Sequence, residues 1–112
     1  MDTAAIEAGL REARSRLVRQ MEDLGATDSG ELRPDAGFEE GFADAAAATA
    51  ERTEVLGVVE SLKSQVDSID AALTRIAEGG YGTCASCGKE IPAARLEARP
   101  ESIYCVDCKS RR

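Results

Sequence analysis

Seven aliphatic residues, Val55, Val59, Leu62, Val66, Ile69, Leu73 and Ile76, follow one another at steps of four and three without a break. Such a repeat falls on one face of an α-helix, and a heptad seam of this kind needs a second helix against it. Carried backwards, the phase meets Arg52, Ala48 and Ala45, which sets the helix start near Glu39. Carried forwards it reaches about Glu78, where Gly79-Gly80 ends it. At ~1.5 Å per residue this helix measures about 60 Å. A partner lies upstream: Ile6, Leu10, Ala13, Leu17, Met21 and Leu24 recur at the same steps, predicting a helix from about Asp2 to Asp23 with Gly25 as its stop. The simplest arrangement is a mainly α chain in which residues 1–80 form a long antiparallel α-helical hairpin, a coiled coil. A small four-cysteine domain follows over residues 81–112.

Few bulky side chains are available for any other core. Of the 112 residues 19 are alanine, with no Trp, two Phe and two Tyr. A chain this poor in large residues stays ordered through a seam, a metal or a partner. Between the helices, GATDSGELRPDAG is rich in turn formers and contains Pro34. It reads either as the tip of the hairpin, near residues 26–44, or as an excursion beside it. Charge is concentrated there. Ten acidic residues between Glu22 and Glu54 face only Arg33 and Arg52, a balance of −8 within a whole-chain charge of −7. A solvated, charge-protected loop accounts for this as well as a working surface does. The run Ala45–Ala48 favours helix and keeps that helix slim.

The four cysteines carry the most specific chemistry. Cys84 and Cys87 are separated by two residues, Cys105 and Cys108 likewise, with seventeen residues between the pairs. This is the spacing of tetrahedral zinc sites built from four thiolates. Two intervening residues let the chain turn so that both sulfurs of a pair face one ion, and Gly88 suits a knuckle whose amides point back at sulfur. Iron in a rubredoxin-like site uses similar spacing, but nothing else suggests electron transfer. Four cysteines close the coordination shell, so one structural zinc is expected and a catalytic one is not. Ile91, Leu96, Ile103 and Tyr104 are expected to cover the site and to dock on the end of the long helix.

Several function classes are disfavoured. The chain contains no His, no nucleophile with an evident partner and no Gly-rich phosphate loop, so a binding protein is expected and an enzyme is not. The acidic balance argues against direct DNA binding. No apolar run reaches the ~18–20 residues of a membrane span, and the N-terminal residues show no apolar signal region. A cytoplasmic protein with reduced thiols is expected.

The segment from Tyr81 to Pro100, with its pattern YGxCxxCGxxIxxxRLxAxP, and Tyr104-Cys-Val-Asp-Cys108 resemble the zinc-finger signature of the DksA/TraR family. The preceding IDAALTRIAEGGYG resembles the family's helix leading into the finger. This resemblance implies a bacterial transcription regulator that binds RNA polymerase, its hairpin entering the secondary channel and its tip approaching the active centre. Such factors alter the lifetime of promoter complexes, often together with the alarmone ppGpp, in the stringent response. The family's Asp-x-x-Asp-x-Ala tip places its second Asp on Asp44 and its Ala on Ala46, while the first Asp falls on Gly41, beside Glu40. Arg99 and Lys109 match basic positions that contact the alarmone or polymerase, and Ser68 stands where those members carry Lys. The best-studied members continue into a further helix after the last cysteine, where this chain has four residues. Two other readings carry less weight: a finger that binds nucleic acid, and a coiled-coil adaptor that pairs its seam with another helix or a second copy. The first fits poorly with residues 81–112, whose charge of +2 is cancelled once four thiolates and zinc add −2. A monomer is expected.

Overall fold

Both glycine stops end helices as the sequence leads one to expect. The structure, a computed structural model, describes residues 2–33 and 45–110 and contains four helices: α1 (Thr3–Asp23), α2 (Ala45–Ala77), α3 (Ala93–Ala98) and α4 (Val106–Ser110). Among the described residues there is no strand, only two isolated antiparallel bridges, Ala26 with Leu32 and Thr83 with Glu90. The chain is thus mainly helical, an antiparallel pair of α1 and α2 followed by a small four-cysteine region. The expected helix start at Glu39, and with it Gly41 and Asp44, lies outside the described residues. Ala46 belongs to the first turn of α2. No described helix is long and apolar enough to cross a membrane.

Asp2 caps α1, its Oδ1 accepting from the Ala4 and Ala5 amides at 3.1 and 3.2 Å. At the other end Gly25 turns to φ +89°, a conformation that costs a residue without Cβ little. The turn lets the Gly25 amide donate to Glu22 O (2.9 Å) and the Ala26 amide to Met21 O (2.9 Å). These two bonds satisfy carbonyls that the helix end would otherwise leave open. The last turn of α2 repeats the device. Gly79 sits at φ +81°, its amide donates to Ile76 O (3.1 Å), and the Gly80 amide donates to Arg75 O (2.9 Å).

Two compact units divide the chain: Arg14–Val66, and Met1–Ala13 together with Asp67–Arg112. In the first, Met21, Ala26, Val59, Leu62 and Val66 form the buried core, with Leu17, Val18, Leu24, Leu32 and Val55 packed around it. Leu24, Ala26 and Leu32 beyond the helix belong to this core. After Gly25 the chain doubles back: Thr27 N donates to Glu31 O (2.8 Å), Gly30 N to Thr27 O (3.0 Å) and Arg33 N to Gly25 O (2.8 Å). Ala26 is wholly buried, and Gly30 lies over the Lys63 side chain of α2, where an added Cβ would sit 3.4 Å from Cγ. The first part of the turn-rich stretch is therefore packed on α2 near Val59 and Lys63. In the second unit Leu10, Ile69 and Ala72 are buried. The expected seam residues Leu73 and Ile76 are only partly covered, and Ala72 takes the fully buried place.

Met21 is fully buried at the join of both helices and the doubled-back loop, so Met21→Ala should lower unfolding free energy by about 2–5 kcal/mol. Val58, half exposed on the same helix pair, should cost under about 0.5 kcal/mol when changed to Ala. Denaturant midpoints of the two variants against the parent protein check the contrast.

Candidate metal centre

The Gly79 turn delivers the chain into a tight knuckle. Gly82 O accepts from the Ile91 amide (2.8 Å), Thr83 pairs with Glu90, and the Cys84 amide donates to Lys89 O at 2.7 Å. Within the knuckle the Gly88 amide donates to Cys84 O (3.0 Å), closing the turn that holds the first cysteine pair. The amide that points at sulfur belongs to Cys87, which donates to Cys84 Sγ at 3.5 Å. Gly88, at φ +77°, closes the backbone turn of that knuckle. The second pair rides on α4: Cys105 directly precedes the helix, its carbonyl accepts from Lys109 N (2.9 Å), and Cys108 follows within the helix. A bond from Ala85 N to Ile103 O (2.8 Å) ties the two halves together.

All four sulfurs consequently lie within 4.8 Å of one another, with Cys87 Sγ and Cys105 Sγ 3.7 Å apart. Zinc–sulfur bonds of ~2.3 Å in a tetrahedron separate the sulfurs by about 3.8 Å, so the arrangement fits one ion. The cysteines are free rather than bridged. Three of them, Cys84, Cys105 and Cys108, are buried, whereas Cys87 is exposed. Ile91 and Leu96 pack with the buried cysteines, joined by Tyr81 and Tyr104. That cluster includes no residue of α2. Polar contacts join the two. Arg75, on the last turn of α2, donates from Nη2 to Gly80 O (3.0 Å) and Thr83 O (2.9 Å). Tyr81 OH donates to Pro100 O (2.8 Å) and Arg95 Nε to Tyr104 O (3.2 Å), fastening the segment between the cysteine pairs. Both arginines fall within the segments that resemble the family's signature, but composition and spacing assign them no role, because both act on backbone carbonyls that only the folded turn brings within reach.

Thiol acidities diverge across the cluster. The Cys87 amide, the largest influence, draws the Cys84 thiol down to about 5, against desolvation that opposes it. Hydrogen bonding with Cys105, then burial, pushes the Cys108 thiol up to about 12. Without metal, the Cys84 shift stabilises the fold fully above the ordinary 9.0 and is lost as pH falls through about 5. The Cys108 shift acts below 9.0 and is lost as pH rises through about 12. Neighbouring sulfurs cannot all ionise unless a cation joins them.

Arg99 and Lys109 are exposed, and among the described residues neither side chain has a hydrogen bond or ion pair. Ser68 is exposed on α2.

A four-cysteine knuckle that follows an antiparallel helical pair defines the class of small helical proteins with a C4-type metal finger. Comparison with known proteins narrows it. Residues 79–112 match the prokaryotic dksA/traR C4-type zinc finger. The chain is 36% identical over 70 residues to an RNA polymerase-binding transcription factor DksA of Caulobacter vibrioides, covering 62% of this chain and 49% of that one. The corresponding factor of Escherichia coli K12 is 42% identical over 45 residues, 40% of this chain and 30% of its own. The chain thus spans about half, or less, of the length of these curated relatives. Among solved structures, transcription factor DksA2 of Pseudomonas aeruginosa superposes with a TM-score of 0.76 at 34% identity, over 99% of this chain and 84% of that one. The DnaK suppressor protein of Agrobacterium tumefaciens C58 gives 0.65 at 31%, over 100% and 95%. The chain belongs to the DksA/TraR family.

Because Cys84 is already ionised at neutral pH in this geometry, zinc added to the metal-free protein at pH 7 should release fewer than four protons. Calorimetric titrations in buffers of different ionisation enthalpy count them. Release of four would mean that the knuckle loses this geometry without metal.

Proposed function

We propose that Cys84, Cys87, Cys105 and Cys108 hold one structural zinc ion, and that the protein is a bacterial transcription regulator acting on RNA polymerase. The likeness to transcription factor DksA2 carries this reading, because it extends over 99% of the chain and so includes both the helical pair and the knuckle. The relatives named RNA polymerase-binding transcription factors support the choice of partner. In this reading the division of labour falls near residue 80. The helical pair, with Asp44 and Ala46 at its working end, enters the secondary channel, and the finger from residue 81 anchors its base. The zinc is a scaffold with a closed shell, and no catalytic step is assigned to the chain.

Electrostatics makes the role of Asp44 concrete. A carboxylate brought close to a metal-dependent active centre, where water is scarce, acts at a lower effective dielectric than on an open surface. Arg99 and Lys109, exposed and unengaged, are the finger cations able to meet a phosphate such as that of ppGpp. Ser68 on α2 offers no charge to such a ligand, so any response to ppGpp should be weaker than in relatives with Lys there. The protein works as a cytoplasmic monomer in this reading.

Immobilised protein should retain bacterial core polymerase from purified material, and prior treatment with a strong chelator should weaken retention. Asp44→Asn should retain polymerase within about twofold while abolishing any effect on promoter-complex lifetime in a purified transcription assay. A variant that regulates normally would remove Asp44 from the mechanism, and failure to retain polymerase at all would remove the partner.

A further inference from the structure

The two helices that stop at a positive-φ glycine close their ends with the same pair of backbone bonds but finish them differently. In α1 the residue beyond the glycine, Ala26, packs on Met21, and both are fully buried. This apolar contact is what such a stop ordinarily uses. In α2 the matching positions hold Gly80 and Arg75, and the contact is polar: Arg75 Nη2 donates to Gly80 O. A helix stop needs no arginine. What the arginine adds is reach, because the same Nη2 donates a second hydrogen bond at 2.9 Å to Thr83 O, the carbonyl directly before Cys84.

We infer that Arg75 is a positioning residue of the metal centre, whose guanidinium fixes the Gly80 and Thr83 carbonyls and so presets Cys84 for the ion; this rests on the proposal that the four cysteines hold zinc. Three observations support it. Thr83 is bridged to Glu90, so holding its carbonyl steadies both arms of the knuckle that presents Cys84 and Cys87. Gly80 leaves room for the head group and nothing more: an added Cβ would lie 2.8 Å from Cζ and 2.9 Å from Nη2. Arg75 Nε is buried and makes no hydrogen bond, so the two bonds from Nη2 carry the polar contacts of the head group. Ordering ligands before the ion arrives lowers the entropic cost of binding, and binding at such sites is linked to folding of the loop. By reciprocity, zinc must in turn steady the last turn of α2.

The experiment measures zinc affinity by competition with a chromogenic chelator, beginning with the unaltered protein. That protein should bind one zinc per chain, and none bound would defeat the zinc assignment itself. Arg75→Ala should then weaken zinc affinity about tenfold, the lower end for groups that orient metal ligands. Arg75→Lys should recover part of this loss, since a lysine donates but lacks the planar head that lies against Gly80. Gly80→Ala, whose Cβ displaces the guanidinium, should match Arg75→Ala, and the double variant should lose nothing further. Thr74→Gly, an exposed helix-weakening change in the same turn, should leave zinc affinity within about twofold. Should Arg75→Ala not fold, Gly80→Ala and Arg75→Lys decide the matter. Zinc affinity unchanged within about twofold in the folded Arg75 and Gly80 variants, with only the unfolding midpoint lowered, would overturn the proposal, as would additive losses in the double variant.

Discussion

Four sulfur atoms within 4.8 Å of one another constrain everything around them. As thiols they tolerate the distance, but as thiolates they repel, and only a cation at their centre makes the full set of charges favourable. The knuckle therefore has to be built from backbone hydrogen bonds, because a stretch of 34 residues from Gly79 to Arg112 has little apolar material for a core. The bonds of Cys84 N to Lys89 O, Ile91 N to Gly82 O and Ala85 N to Ile103 O hold it together, with Ile91, Leu96, Tyr81 and Tyr104 filling in around the sulfurs. The core of the Arg14–Val66 unit is organised on the opposite principle, with Met21, Val59 and Val66 withdrawn from water and, among the described residues, no buried polar side chain.

How much of this the sequence discloses depends on the kind of force involved. Burial along a helix is periodic, so Val59, Leu62, Val66 and Ile69 announce themselves. The strict heptad count nevertheless slips by the third repeat. Ala72, one residue off the seam, is wholly buried there while Leu73 is only partly covered. Helix stops are legible because positive φ singles out glycine, as at Gly25 and Gly79. The metal centre is legible because ligand geometry fixes cysteine spacing.

What escapes the sequence is contact made by residues that carry no pattern. Ala26 reads as one alanine among nineteen, yet it is wholly buried in the core. Arg75 reads as a surface cation in a helix, and its two acceptors are carbonyls, which every residue possesses. Ile103 and Tyr104 read as apolar cover for the metal site and a helix end. In the fold, Ile103 gives its carbonyl to Ala85, and Tyr104 packs within the cysteine cluster. Side-chain chemistry is written in the sequence, whereas the position of backbone acceptors is a product of the turn.

The bond from Arg33 N to Gly25 O brings the exit of the doubled-back loop beside its entrance. Residues 26–32 thus form a closed excursion whose two ends nearly coincide, with Leu32 packed against the core they encircle. The chain leaves this loop from the place where α1 stopped, and the loop's Ala26 shares one buried core with Met21 of α1 and Val59 of α2. The register of the helical pair thus rests on contacts of the loop that precedes residue 34 as well as on the two helices themselves.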